Sequence, residues 1–157
     1  MVELRKELEG ALESDDLGPL ERIIERGDPD DFETLQELVQ DEDTSETYRR
    51  RAMTALGKWP DREDEAVEVI EFVLPGLSEI ERITAVSALG RVGTPAARDV
   101  LLECRDDVPD VRRQAVKALG RIRDETAATA IREMAEEDTS EMVRETALKQ
   151  IQRMDER

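Results

Sequence analysis

The sequence predicts an all-α protein, a right-handed α-solenoid of about five helical hairpins. Two observations carry this. A block of small and aliphatic residues recurs as Ala52-Met53-Thr54-Ala55-Leu56-Gly57, Ala85-Val86-Ser87-Ala88-Leu89-Gly90 and Ala115-Val116-Lys117-Ala118-Leu119-Gly120. A weaker copy is Ala147-Leu148-Lys149-Gln150-Ile151-Gln152, so the leading alanines Ala52, Ala85, Ala115 and Ala147 are almost evenly spaced. A second apolar stripe follows each glycine: Ala66, Val69, Ile70, Val73; then Ala97, Val100, Leu101, Cys104; then Ala127, Ala130, Ile131, Met134. Each stripe has i, i+3, i+4, i+7 spacing, one face of a helix. Both patterns keep one and the same period, and helical units at such a period stack as a solenoid.

In chain order, Met1, Leu4, Leu8, Ala11 and Leu12 form a stripe on a helix over 1–13 that covers the open end. Leu17, Leu20, Ile23 and Ile24 make the next, ending at Gly27, and Phe32, Leu35, Leu38 and Val39 a third after Asp28-Pro29. Gly27 stands as far before Gly57 as Gly90 does before Gly120. The segment 17–42 therefore reads as a degenerate repeat, and 1–43 as an N-terminal cap plus repeat. Clear repeats follow at 44–76, 77–107 and 108–138, the last with helices at 109–120 and 125–136. Residues 139–157 form a capping helix whose Gln150, Gln152 and Arg153 are polar, since a terminal face meets water. The whole of 1–157 is thus one domain of about ten helices. Helix starts are expected at Asp43 and Asp138 in Asp-Thr-Ser-Glu, at Ser78 with Glu81, at Thr94-Pro95, and at Asp61 and Asp124. Gly57, Gly90 and Gly120 suit the left-handed residue that ends a helix.

The run Asp110-Val111-Arg112-Arg113-Gln114-Ala115-Val116-Lys117-Ala118-Leu119-Gly120-Arg121 resembles the HEAT-repeat family, in its short form also found in phycobilisome-lyase-type proteins. Thr47-Tyr48-Arg49 and Met142-Val143-Arg144 match its Val-Arg part. The resemblance implies an Asp–Arg ladder between repeats: Asp43 six before Arg49, Asp106 six before Arg112, Asp138 six before Arg144. Arg82 is present, but Gly76 occupies the matching acidic position.

The chain carries 40 Asp+Glu against 23 Lys+Arg, a formal charge of −17, with Lys6, Lys58, Lys117 and Lys149 its only lysines. Periodic apolar residues separate it from disordered acidic chains. High acid spread over every solvent face, few lysines and small core residues resemble a cytoplasmic protein of a halophilic archaeon; the alternative is an ordinary acidic adaptor. A cytoplasmic location is expected, because Met1-Val2-Glu3-Leu4-Arg5 opens no signal peptide. No apolar run approaches the ~20 residues of a membrane span. Cys104 falls on a core stripe and reads as a buried thiol.

The chemistry available is narrow. The chain has no histidine, so no Ser-His or Cys-His pair and no imidazole metal ligand, and a single cysteine makes no structural zinc site. Gly90-Arg91-Val92-Gly93 lacks the lysine of a phosphate loop. Asp28-Pro29-Asp30-Asp31 lacks the order of a calcium loop. HEAT-type hydroxylases hold iron with repeated His-Glu pairs, and this chain has none. HEAT-type DNA glycosylases need a basic groove, which the net charge opposes. No enzyme, cofactor, metal, nucleic acid or membrane is therefore expected.

The resemblance implies that the second helices line the concave face. Their outward rows are Val67, Arg98 and Ala128; Glu68, Asp99 and Thr129; Glu71, Leu102 and Arg132; with Phe72, Glu103 and Glu133 flanking. Apolar Val67, Phe72 and Leu102 beside arginines suit a protein-binding surface. The expected partner-binding set is Val67, Glu68, Glu71, Phe72, Arg98, Asp99, Leu102 and Arg132. The other reading packs Val67 and Phe72 against the neighbouring repeat or the 58–63 turn. The function expected is a non-catalytic adaptor or regulatory scaffold, with a lyase-like or chaperone-like holder of a cofactor as the alternative. The chain is expected to be a monomer or weak homo-oligomer.

At roughly 1 M salt the Debye length is about 3 Å, which screens self-repulsion that low salt restores. Dialysis to low salt is therefore expected to lower helicity by far-ultraviolet circular dichroism. An unchanged signal refutes the salt-adapted reading.

Overall fold

The computed structural model describes residues 2–156. Ten α-helices follow one another among these: α1 (Lys6–Glu13), α2 (Gly18–Arg26), α3 (Pro29–Gln40), α4 (Glu46–Lys58), α5 (Glu63–Val73), α6 (Glu79–Val92), α7 (Pro95–Glu103), α8 (Pro109–Ile122), α9 (Glu125–Glu137) and α10 (Glu141–Asp155). Short 3₁₀ turns, Leu74–Gly76 and Cys104–Asp106, carry the chain from α5 to α6 and from α7 to α8. The architecture is the expected all-α solenoid, with α4/α5, α6/α7 and α8/α9 as regular hairpins and α10 opening a further unit. The N-terminal helix begins later than expected, at Lys6; Met1 lies outside the described residues, and Val2 and Leu4 pack partly against the core.

The second-helix stripes are buried as their spacing requires, apart from half-buried Val73. Trp59 is a lid: it is 3% exposed and meets the Phe32 ring edge-on at 5.6 Å, with the Arg62 guanidinium 4.9 Å from that ring's centre. Cys104 is buried, and its thiol is pushed up to about 11, chiefly by burial.

Several helix ends differ from expectation. The serines of the Asp-Thr-Ser-Glu segments, not the aspartates, are the caps: Ser45 Oγ accepts from Tyr48 N–H and Ser140 Oγ from Val143 N–H. Asp138 instead accepts the N–H of Ser140, turning the chain into the cap. Ser78 and Glu81 form the full capping box, and Thr94 and Asp124 cap α7 and α9. Asp61 does not start α5; it adopts φ 60 in the preceding turn.

The repeated glycines also serve another purpose. Gly57, Gly90 and Gly120 lie within helices, and the left-handed positions fall on Gly27, Gly93 and Arg123 among others. A Cβ on Gly57 would meet the Ala88 Cβ at 3.0 Å, and one on Gly90 the Ala118 Cβ at 2.7 Å. One on Gly120 would meet Gln150 Oε1 at 2.2 Å. The glycines therefore let successive first helices approach as closely as backbones can.

That contact sets the layering. The first helices α4, α6, α8 and α10 pack extensively on one another, while the second helices α3, α5, α7 and α9 touch sparsely. The row with the shorter spacing lies inside the curvature of a stack. The first helices thus form the inner layer, and the second helices the outer one, the reverse of the expected arrangement.

Gly90→Ala is expected to destabilise by about 1–3 kcal/mol, because the methyl overpacks a fixed helix contact. At Gly10 an added methyl would meet nothing within 4 Å. The sign there is opposite: Gly10→Ala should stabilise by up to about 1 kcal/mol. Urea unfolding of the two variants checks the pair.

Candidate interaction surfaces

The arginine ladder is present but is wired differently from the sequence expectation. Each arginine reaches back to a carbonyl before its own helix, and Arg49, Arg82 and Arg112 also reach forward to an acid before or at the start of the next repeat's first helix. Arg82 donates Nη1–H to Leu77 O at 2.9 Å, and Nε–H and Nη2–H to Asp107 at 2.9 and 3.0 Å. Arg112 repeats this with Asp107 O at 2.6 Å and Asp138 at 3.0 and 2.9 Å. Arg144 donates to Asp138 O at 2.6 Å. Asp106 is therefore no rung: it lies exposed in a 3₁₀ turn, and Asp107 takes the place. Asp43 is likewise outside the ladder, because Arg49 binds the Val39 and Asp41 carbonyls instead.

The missing acid at Gly76 is replaced from the neighbouring helix. Arg49 Nη1 donates to Glu81 Oε2 at 2.7 Å, and Glu81 is the same carboxylate that closes the Ser78 capping box. Burial alone would raise the Glu81 carboxyl; the Arg49 and Ser78 hydrogen bonds outweigh it and hold the group below its usual range. Asp138 behaves likewise, burial opposed and exceeded by Arg112 and the Ser140 amide. Donating hydrogen bonds to the Asp107 and Asp138 carboxylates raises the Arg82 and Arg112 guanidiniums in turn.

The residues expected to bind a partner separate into three groups. Val67 is 2% exposed and belongs to the core, because each second helix is covered by its own partner and by adjacent repeats. Leu102 is half-buried against that core, and Arg98 is tied to Asp124 at 2.7 Å and to Asp99 at 3.0 Å. Glu68, Glu71, Phe72, Asp99 and Arg132 are exposed, Arg132 beside Glu125 at 3.3 Å. Phe72 stands out at 77% exposed. It borders a shallow cavity of about 340 Å³ lined by apolar Val39, Val73 and Leu77 and by polar Gln40, Glu42 and Arg49.

Charge is segregated between the layers, contrary to an even spread of acid. The four first helices α4, α6, α8 and α10 hold thirteen cations and seven carboxylates; the second helices α3, α5, α7 and α9 hold fifteen carboxylates and two cations, Arg98 and Arg132. Along the edge where the first helices end, Lys58, Arg91 and Arg121 converge on a cavity of about 650 Å³. This row was not among the expected sites. Its signal in the sequence is one repeat position, the residue after the glycine.

No group of three or more potential metal ligands converges among the described residues. No helix among them is long and apolar enough to cross a membrane.

Comparison with known proteins agrees with this geometry. A family model described as HEAT repeats matches residues 33–110 and 70–152. Human deoxyhypusine hydroxylase, solved in complex with glycerol, is similar at 26% identity and TM-score 0.69, over 80% of this chain and 44% of that one. The CpcE–CpcF complex of phycocyanin lyase from Nostoc sp. PCC7120 is similar at 21% identity and TM-score 0.66, over 99% of this chain and 66% of that one. The chain thus spans less than two thirds of either, and the second likeness speaks to fold alone. No curated protein matches.

Asp138 gives a pH signature. Its folded-state affinity for protons is depressed, so the stability it contributes is present above the unfolded value of about 4 and is lost as pH falls through the lower folded value. Asp138→Asn is expected to lower stability at neutral pH, and the gap from the native chain should close as pH falls below about 4. Thermal melts across that range check it; a gap independent of pH refutes the assignment.

Proposed function

The chain belongs to the HEAT-repeat family, and we propose that it serves as a non-catalytic protein-interaction module, a small adaptor or regulatory scaffold. The observation that carries this reading is Phe72, an aromatic side chain 77% exposed beside a shallow hollow of mixed apolar and polar lining. Large exposed aromatics next to a hollow are what interfaces use as anchors. Glu68 and Glu71 flank it on α5, and Asp99 and Arg132 lie on the outer layer beyond. Arg98 acts within the fold in this reading, because its bond to Asp124 joins α7 to the cap of α9.

The lack of histidine in the sequence supports a non-catalytic role. The chain lacks the His-Glu donor set by which hydroxylases of this family hold iron. The buried thiol of Cys104, raised to about 11, is a poor nucleophile at neutral pH.

A second reading, an accessory protein that holds a small cofactor or chromophore, draws on the cavity of about 650 Å³ at the first-helix ends. A stoichiometric small molecule retained by protein from its native host would favour it.

The experiment is affinity capture from a native-host lysate, with Phe72→Ala beside the unaltered chain. Phe72→Ala is expected to keep its helicity and lose most of the captured protein, as truncating an interface anchor costs about 2 kcal/mol or more. Equal capture by both removes Phe72 as the anchor.

A further inference from the structure

One position is cationic in all three clear repeats: Lys58, Arg91 and Arg121 follow the first-helix glycines, and Arg153 follows Gln152 at the equivalent place. The first three line one open cavity with Trp59, Pro60 and Glu63. Arg91 and Arg121 are exposed and form no ion pair among the described residues, while Lys58 approaches only Glu21, at 3.9 Å. In a chain with 40 carboxylates and 23 cations, a guanidinium is easily paired. Arg98 and Arg132 on the outer layer, and Arg105 in the turn after α7, all are. A cation in the last helical turn also favours the helix dipole. That accounts for one charge at each helix end, but not for the near-absence of carboxylates between them.

We propose that this row binds an extended acidic segment of a partner polypeptide, a proposal that rests on reading the chain as an interaction module. The spacing fits. Packed helices lie about 8–10 Å apart, so one cation is presented per such step. A polyproline-II segment has three residues per turn and rises about 3.1 Å per residue, so every third side chain returns to one face after about 9 Å. An acidic residue at every third position then meets one cation per repeat. Such a segment touches only the edge of the cation-rich inner layer. A nucleic acid would also meet the acidic outer layer of a chain with formal charge −17. Trp59, 3% exposed, offers no face for base stacking.

The test titrates the full chain and the double variant Arg91→Glu/Arg121→Glu with a labelled peptide repeating Glu-Ala-Pro, long enough to span the three cations. Fluorescence anisotropy is read at salt concentrations where circular dichroism shows both proteins folded. Saturable binding that weakens as salt rises is expected, with at least about tenfold weaker binding by the double variant and by a Gln-Ala-Pro peptide. Three results overturn the proposal: no saturable binding of the acidic peptide, binding unchanged in the double variant, or tighter binding of an oligothymidylate of equal length. The outcome separates from that of the Phe72 experiment. Partner capture that needs Phe72, without peptide binding, removes the acidic segment alone. Peptide binding with equal capture by Phe72→Ala removes the Phe72 surface alone.

Discussion

Successive first helices approach until the backbone at Gly57 lies against Ala88, and that at Gly90 against Ala118. Much of the remaining architecture follows from that contact. It demands glycine or alanine on the facing surfaces, because an added methyl on Gly90 would stand 2.7 Å from the Ala118 Cβ. It shortens the inner row relative to the outer one and so gives the stack its direction of curvature. It also spreads the core over many small side chains, which is why Ala85, Ala88, Ala115 and Ala118 are buried where a globular core would place larger residues.

Close packing of repeats leaves backbone carbonyls at each junction that need donors. The arginines of the ladder supply them, each satisfying a carbonyl before its own helix while, in all but the last, its other nitrogens hold the next repeat's acid. The Arg49 rung shows that geometry, not residue identity, recurs along the stack. With Gly76 in the acidic place, Glu81 enters from the first turn of α6 and reaches the same guanidinium. Glu81 then serves both the inter-repeat contact and the cap of its own helix, so the junction and the helix start are coupled through one buried carboxylate.

The layers differ in charge as well as spacing. An acidic outer layer and a cation-rich inner layer give the stack two chemically distinct faces, although the net charge alone describes a uniformly acidic protein. The outer layer carries Phe72 as its large exposed aromatic, and the inner edge carries Arg91 and Arg121, without ion pairs among the described residues.

The sequence by itself determined the fold class, the period, the helix positions and the buried stripes, because helical periodicity is local and each repeat restates it. It also determined which arginines belong to the ladder, but not their partners. Asp107 rather than Asp106, and Glu81 rather than Asp43, depend on where a 3₁₀ turn or a capping box aims a carboxylate across a repeat junction. Helix–helix distance likewise decided that the glycines make contacts rather than end helices, and that Val67 is core while Phe72 is exposed. The inner layer, the pairing of Arg98 and the row of Lys58, Arg91 and Arg121 were left to the tertiary structure. Each depends on the spacing between helices that belong to different repeats, a quantity that no local pattern encodes.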